Sequence, residues 1–443
     1  VSKIESTADA AGAGAGDGGA PARGAGAAGI LPADSLPQPE PGLTAETLLA
    51  RAAALKPLLR EQQEESDARG RYSDEVHERL LRGGFYRILQ PRMFGGYEFS
   101  LETFIRVVME LAEGHPAAGW CFTLAASHGL VLASHWPLEA QRELFGPEGD
   151  FRCAMTAGPA GTFRRVAGGY IVNGVHPFAS GIPVSTHFMG AGLIRGANGA
   201  PQNVYFVVPR ERLEILPDWG GERSLGMQAS GSNSVKLSDV FVPEHHFVPA
   251  NVMLSSEHLP DGTHGTRAHG NPMYLGILAG WFSCEFGAIF TGTARAALEE
   301  FTHLLKTKKL TFNPQVPRSH DPHNQVTLGE ALSRTDAAEA LTLAATRLCM
   351  ELNERWAREG RPITAADTLR VWSISREGCR AACEAVEMLF KAAGASVSKR
   401  GERLQRYFRD VQMYRVHIQS QPLFPAMRGQ VELAIPLPAP FGS

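Results

Sequence analysis

The hydrophobic period changes twice along this chain, and those changes restrict the fold more than any single motif does. From Thr44 the apolar residues Leu48, Leu49, Ala52, Leu55, Leu58 and Leu59 share one helical face, with polar residues opposite. From Phe151 the period falls to two. Short stretches near 152–156, 163–176, 187–194, 203–208 and 235–243, punctuated by Gly and Pro, are expected as strands. After a polar loop at 251–271, helical spacing returns over 273–307, 324–358, 364–393 and 401–420. The pattern predicts an α+β chain that is mostly α. Its expected parts are helices over 43–150, a β-barrel or sandwich over 151–250, a linker over 251–272, a four-helix bundle over 273–430 and a tail over 431–443.

Punctuation sharpens this outline. A helix from Ser73 through Leu81 is stopped by Gly83 and Gly84, and another runs from Leu101 to Leu111. Thr364 with Asp367 three residues on is a capping-box start. Residues 1–42 are rich in Ala, Gly and Pro and nearly free of large apolar side chains, so disorder is expected there. They lack the basic, apolar, small-residue order of a secretory signal.

Composition excludes several function classes. With 44% hydrophobic and 20% charged residues the chain reads as soluble and globular, and a net charge of −3 gives no electrostatic case for nucleic acid or an anionic membrane. No apolar run is expected to reach the roughly 20 residues of a spanning helix. The six cysteines have no zinc-type spacing and are expected as buried free thiols of a reducing compartment, the cytoplasm. His320 and His323 sit among Ser319, Asp321 and Pro322 and read as a polar loop, so no metal is expected.

The stretch 168–194 carries the first chemical signal. Tyr170 to Gly174 is a β-prone run with a turn residue, and His187 to Ile194 is another apolar run. Between them Pro177 removes a donor and Gly181 permits an unusual backbone angle. The connection therefore presents one hydroxyl, Ser180, beside Phe178. This resembles the β-domain motif of two-component (group D) flavin-dependent monooxygenases of the acyl-CoA dehydrogenase fold, such as p-hydroxyphenylacetate hydroxylase oxygenase components. There a Gly-Gly-Tyr run precedes Trp-x-Phe-x-Ser-Gly; here His176 stands in place of the tryptophan.

The resemblance extends over about 380 of 443 residues, in the family's order. The helix–Gly-Gly–Pro–Gly-Gly arrangement from Ser73 to Gly96 resembles the amino-terminal domain. Trp120 followed eight residues later by His128 matches a pair on the substrate side of the flavin, with His135 a weaker candidate. Cys153 to Pro159 resembles the first β-domain strand, where Thr156 would contact flavin. Residues 226–243 resemble Gly-x-x-Gly-Thr-Gly-Ser followed by Val-Phe-Val-Pro, with Ala229 and Ser230 replacing one Gly-Thr and with Gly231 and Ser232 kept. Leu389 to Ser396, then Arg409, Asp410 and His417, follow the family's carboxy-terminal order. Arg409 and Asp410 are structural in the family, and His417, seven residues beyond Asp410, is expected on the same helical face. The loop 308–323 lacks the Arg-x-x-Phe-Gly that reaches a neighbouring flavin in the parent fold.

The resemblance implies cofactor contacts from Trp120, Thr156, Phe178, Ala179, Ser180, Ser230, Gly231, Ser232, Gly394 and Ser396. It implies substrate contacts from His128, His176 and His417, and catalytic roles for Ser180, His128 and His417. The implied activity is hydroxylation of a small aromatic or phenolic substrate through a C4a-hydroperoxyflavin. The cofactor would be FMN or FAD, delivered reduced by a separate flavin reductase, and the oxygenase would be a homotetramer. Three alternatives stand beside it. One is an N-oxygenase of an amine or amino sugar. Another is an acyl-thioester dehydrogenase, for which Glu285 is the candidate base although it reads as out of register. The third is a non-catalytic flavin-binding or scaffold protein.

Overall fold

The computed structural model describes residues 36–196, 199–251 and 253–437. The tail expected over 1–42 therefore lies outside the described residues up to residue 35, as does the last part of the tail expected from 431. The amino-terminal helices start where side chains can cap them. Thr44 accepts from Thr47 N at the start of α1 (Ala45–Glu61), and α2 (Gln63–Arg69) follows directly. Ser73 caps α3 (Asp74–Arg82), and Ser100 caps α4 (Leu101–Gly114). Next come α5 (Pro116–Ala126), α6 (His128–His135) and α7 (Leu138–Phe145).

Helices α5 and α6 correct one expectation. Residues 116–135 are together long and apolar enough, by length and composition, to cross a membrane. Nearly all of that stretch is buried inside the protein, so it serves as a central core element. Its small residues let neighbours approach: a Cβ on Gly119 would meet Ala112 Cα of α4 at 2.9 Å.

Among the described residues eight strands follow: β1 (Cys153–Pro159), β2 (Thr162–Val166), β3 (Gly169–His176), β4 (His187–Arg195), β5 (Pro201–Pro209), β6 (Glu214–Ile215), β7 (Val235–Pro243) and β8 (Phe247–Pro249). They form two four-stranded sheets, β1-β4-β5-β8 and β2-β3-β7-β6, antiparallel except for the β1–β4 pair. The single strand expected over 163–176 is a hairpin, because Gly168 at φ 77° turns the chain. A bulge near Asn173 is held by Asp239 N donating to Asn173 Oδ1 at 2.7 Å. Val172, Phe188, Phe206, Val235, Leu237 and Val242 fill the space between the sheets.

The carboxy-terminal part begins with α8 (His264–His269) and then α9 (Leu278–Thr307), α10 (Pro322–Glu359) and α11 (Ala365–Ala393). The expected fourth helix is shorter than its pattern suggested. Helix α12 (Arg403–Val416) stops before His417, and α13 (Leu423–Glu432) completes the bundle after a turn. Phe424 of α13 stacks on Trp372 of α11 at 4.5 Å between ring centroids. One large apolar cluster runs through both helical parts, with Phe104 of α4 against Trp281 of α9 at 5.7 Å, and a smaller cluster holds Trp372, Phe424 and Met427. Each such buried side chain contributes about 1.5–3 kcal/mol.

Candidate functional site

Five parts of the chain converge on a cavity of about 330 Å³. Trp120, Leu124 and His128 come from α5 and α6, and Met155 to Gly158 from the end of β1. Pro177, Phe178 and Ser180 come from the β3–β4 connection, Phe282, Glu285 and Phe286 from α9, and His417 to Gln419 from the turn after α12.

Backbone pairing shapes the β3–β4 connection. Ala179 N donates to Asn233 O, and Gly181 N donates to Ser230 O, both at 3.0 Å. Phe178 sits at φ 62° and Gly181 at φ 80°, both left-handed. A Cβ on Gly181 would lie 2.7 Å from Cys121 O of α5, so glycine is required both by the angle and by the approach. The pairing sets the Ser180 hydroxyl 2.7 Å from that of Ser232, which lies 2.6 Å from that of Ser230. Ser230 and Ser232 thus form a relay behind Ser180, and Gly231 N ties them to Gly70 O at 2.8 Å.

The loop before Ser230 is held from a distance. Met227, at φ 50°, donates its N–H to Asp410 Oδ1 at 2.6 Å. Burial and the nearby Asp67 charge raise the Asp410 carboxyl above the usual range. Asp67 is buried too, but His115 and Arg406 beside it hold its carboxyl low. Asp410 therefore anchors the serine loop. It does not share a helical face with His417 as expected, because His417 is extended (φ −72°, ψ 148°) beyond the end of α12.

The two cavity histidines differ in their tautomers. His128 Nδ1 donates to Cys153 O at 2.7 Å, which leaves the lone pair on Nε2. His417 Nδ1 accepts from Gln419 N at 3.3 Å, which puts the proton on Nε2. The Gln419 side chain is itself held by Trp372 Nε1. His417 packs against Phe286 at 4.8 Å and Trp120 at 5.6 Å. Burial pushes both imidazoles down to about 4, so both are neutral at pH 7.

Two buried donors face this space unsatisfied: Trp120 Nε1 and Thr156 Oγ1 have no hydrogen-bond partner among the described residues. So do both carboxyl oxygens of Glu285, which is fully buried. Burial pushes that carboxyl up to about 8, opposed only in part by the Ser127 hydroxyl, which lies nearby but outside hydrogen-bonding geometry.

Some expected residues lie elsewhere. His176 ends β3 facing inward, 5.3 Å from the Phe188 ring and 5.7 Å from the Phe206 ring, so it belongs to the sandwich core and not to the cavity. Ala179 points into the same core. Gly394 and Ser396 are exposed at the end of α11 and do not line the cavity. His135 Nε2 donates to Gly276 O at 2.8 Å and is likewise absent from the wall. Glu285, read from sequence as out of register, is in the wall. Phe282 and Phe286 were not anticipated, although their spacing of four places them with Glu285 on one face of α9. Among the described residues, the trio within metal-ligating reach is Glu143, His245 and His246. It does not line the cavity, and Glu143 Oε2 pairs with His245 at 2.7 Å.

Comparison with known proteins gives a consistent set of relatives. The model of the acyl-CoA dehydrogenase C-terminal domain family matches residues 284–422. The chain is 29% identical over 388 residues to the flavin-dependent monooxygenase oxygenase subunit HsaA of Rhodococcus jostii, spanning 84% of this chain and 94% of that one. It is 25% identical over 388 residues to the oxygenase component of p-hydroxyphenylacetate 3-hydroxylase from Acinetobacter baumannii, spanning 85% and 86%. The crystal structure of the HsaA monooxygenase from M. tuberculosis superposes with a TM-score of 0.79 at 25% identity, covering 89% of this chain and 99% of that one.

Proposed function

Starting from an acyl-CoA dehydrogenase-like fold and from homologues that are oxygenase components of two-component flavin-dependent monooxygenases, we propose that this chain is the oxygenase of such a pair. It hydroxylates a small aromatic substrate with O₂, using reduced flavin made by a separate reductase. The observation that carries this reading is the cavity itself, where unsatisfied donors, a serine relay and two neutral histidines of opposite tautomer meet.

The donor set fits a flavin, FMN or FAD. Trp120 Nε1 and Thr156 Oγ1 are buried donors that need acceptors, and Ser180 adds a hydroxyl whose own partner is already fixed. Trp120, Thr156, Phe178 and Ser180 would hold the ring, with Ser230 and Ser232 orienting Ser180. Bound reduced flavin supplies the electrons that activate O₂. The chain excludes water with Phe282, Phe286 and Trp120. His128 Nε2 takes the phenolic proton, and His417 Nε2–H donates to the oxygen it leaves. Neutral histidines suit both tasks at pH 7. We propose that it works in a reducing compartment, the cytoplasm, in keeping with six free, buried cysteines, and assembles as the homotetramer that the family resemblance implies.

The test supplies the purified chain with NADH, a flavin reductase, FMN or FAD, and ¹⁸O₂, against a panel of phenols and other aromatics. Product carrying one ¹⁸O per hydroxylation is the expected result. Peroxide as the sole product across the panel would refute the reading. Glu285 gives a second reading its one observation, since a carboxyl base in the wall suits proton removal beside a thioester carbonyl. Bleaching of bound flavin by an acyl-CoA under nitrogen would establish that dehydrogenase activity instead.

A further inference from the structure

We propose that Glu285 selects the substrate, favouring an aromatic molecule that bears an ammonium group and rejecting one that bears a carboxylate. The proposal rests on the oxygenase reading of the site and names its substrate class.

The cavity wall contains no lysine or arginine among the described residues. Its ionisable groups are His128 on α6, His417 after α12 and Glu285 on α9. The two histidines are neutral at pH 7 and provide no positive charge. Among the described residues neither buried Glu285 oxygen has a hydrogen-bond partner in bonding geometry, and the Ser127 hydroxyl nearby can satisfy at most one of them, so a donor entering the cavity finds an acceptor there. A ligand carboxylate would find no positive charge in the wall, only the hydrogen bond of the protonated Glu285 carboxyl. An ammonium would gain a full counter-charge by ionising Glu285, in a wall that also holds the aromatic rings of Phe282, Phe286 and Trp120, a kind of group that attracts cations.

The step balances as a proton release. In the empty cavity at pH 7 the Glu285 carboxyl holds its proton, since burial raises it to about 8. Arrival of the ammonium ionises it, and the proton goes to solvent. No other bond forms or breaks. The groups facing Glu285 do not take that proton. Ser127 and Thr156 do not titrate, both histidines sit near 4, and Cys284 beside it on α9 is pushed well above its ordinary value by burial and stays protonated.

Three probes with one ring separate the outcomes: tyramine, 4-ethylphenol and 4-hydroxyphenylacetate. Their binding to the flavin-loaded protein is measured anaerobically by calorimetry at pH 7, in two buffers of different ionisation heat. Tyramine is expected to bind about tenfold more tightly than 4-ethylphenol, with the anion weakest, and to release about one proton. Glu285→Gln should bring the three affinities within about threefold and abolish the release. A wild-type protein that does not rank tyramine first, or that binds it without releasing a proton, overturns the proposal without need of the variant. Because no oxygen is present, failure here is distinct from failure of ¹⁸O incorporation.

Discussion

The hydroxyls of Ser180 and Ser232 are hydrogen-bonded at 2.7 Å across 52 residues of chain. Ser232 also bonds Ser230, so the orientation of Ser180 is set by a loop that Asp410 anchors from α12. The hydroxyl presented to the cavity is thus positioned by three parts of the chain at once.

With Ser180 holding the flavin as proposed, Ser180→Ala removes one buried hydrogen bond. Such a bond is worth about 1–3 kcal/mol, so the ratio of peroxide to hydroxylated product should rise about 5- to 150-fold. Ser232→Ala should raise it less, because the Ser180 hydroxyl remains. Peroxide and product assays on both variants and the double variant check the order.

His128→Asn keeps a donor near Cys153 O and removes the basic Nε2. The turnover number should fall by about 10²–10⁴. Raising the pH towards the substrate's own phenolic pKa should restore part of it. An unchanged pH profile would show that His128 is not the base.

Burial pushes ten histidines down, six of them far: His77 and His187 to about 3, and His128, His135, His176 and His417 to about 4, while His246, His258, His264 and His269 are lowered less. Their ordinary value is 6.5, so below it the unfolded chain binds more protons than the folded one. The histidines' contribution to stability should be full above pH 6.5 and fall steadily as the pH drops through the window to about 4. Each histidine adds a slope of at most about 1.4 kcal/mol per pH unit. Melting temperatures across pH 4–7.5 report this; a flat profile would contradict the burial seen.

Glu285 has the opposite sign. Its folded carboxyl is raised from 4.5 to about 8, so the folded state binds more protons between those values. Stability should fall as pH rises through that window. Glu285→Gln lacks the titration and should melt higher than wild type by on the order of 2–4 °C at pH 8, with little difference at pH 5.

Gly181→Ala places a Cβ 2.7 Å from Cys121 O at φ 80°. The left-handed angle alone costs about 1–2 kcal/mol. The connection should shift, with loss of flavin affinity as well as a lower melting temperature. Gly168→Ala, also left-handed but with open space around its Cβ, should lower the melting temperature alone.

Much of this protein was legible from local pattern. The change of period at Phe151 placed the strands, and the return of helical spacing placed α9 to α11. The motif order groups Trp120, His128, Thr156, Ser180 and His417, and all five line the cavity. Spacing decides which residues share a face, because backbone geometry repeats along a helix or strand whatever lies beyond it. What a face meets was decided only by tertiary packing. Register turned His176 into the sandwich core, and α12 stopped one residue short of His417, swinging it away from the Asp410 face and against Trp120. The same packing set Glu285 in the wall with no partner. These outcomes depend on contacts such as Met227 with Asp410, 183 residues apart. Periodicity holds no record of such contacts, because they follow from how whole elements close on one another to bury apolar surface.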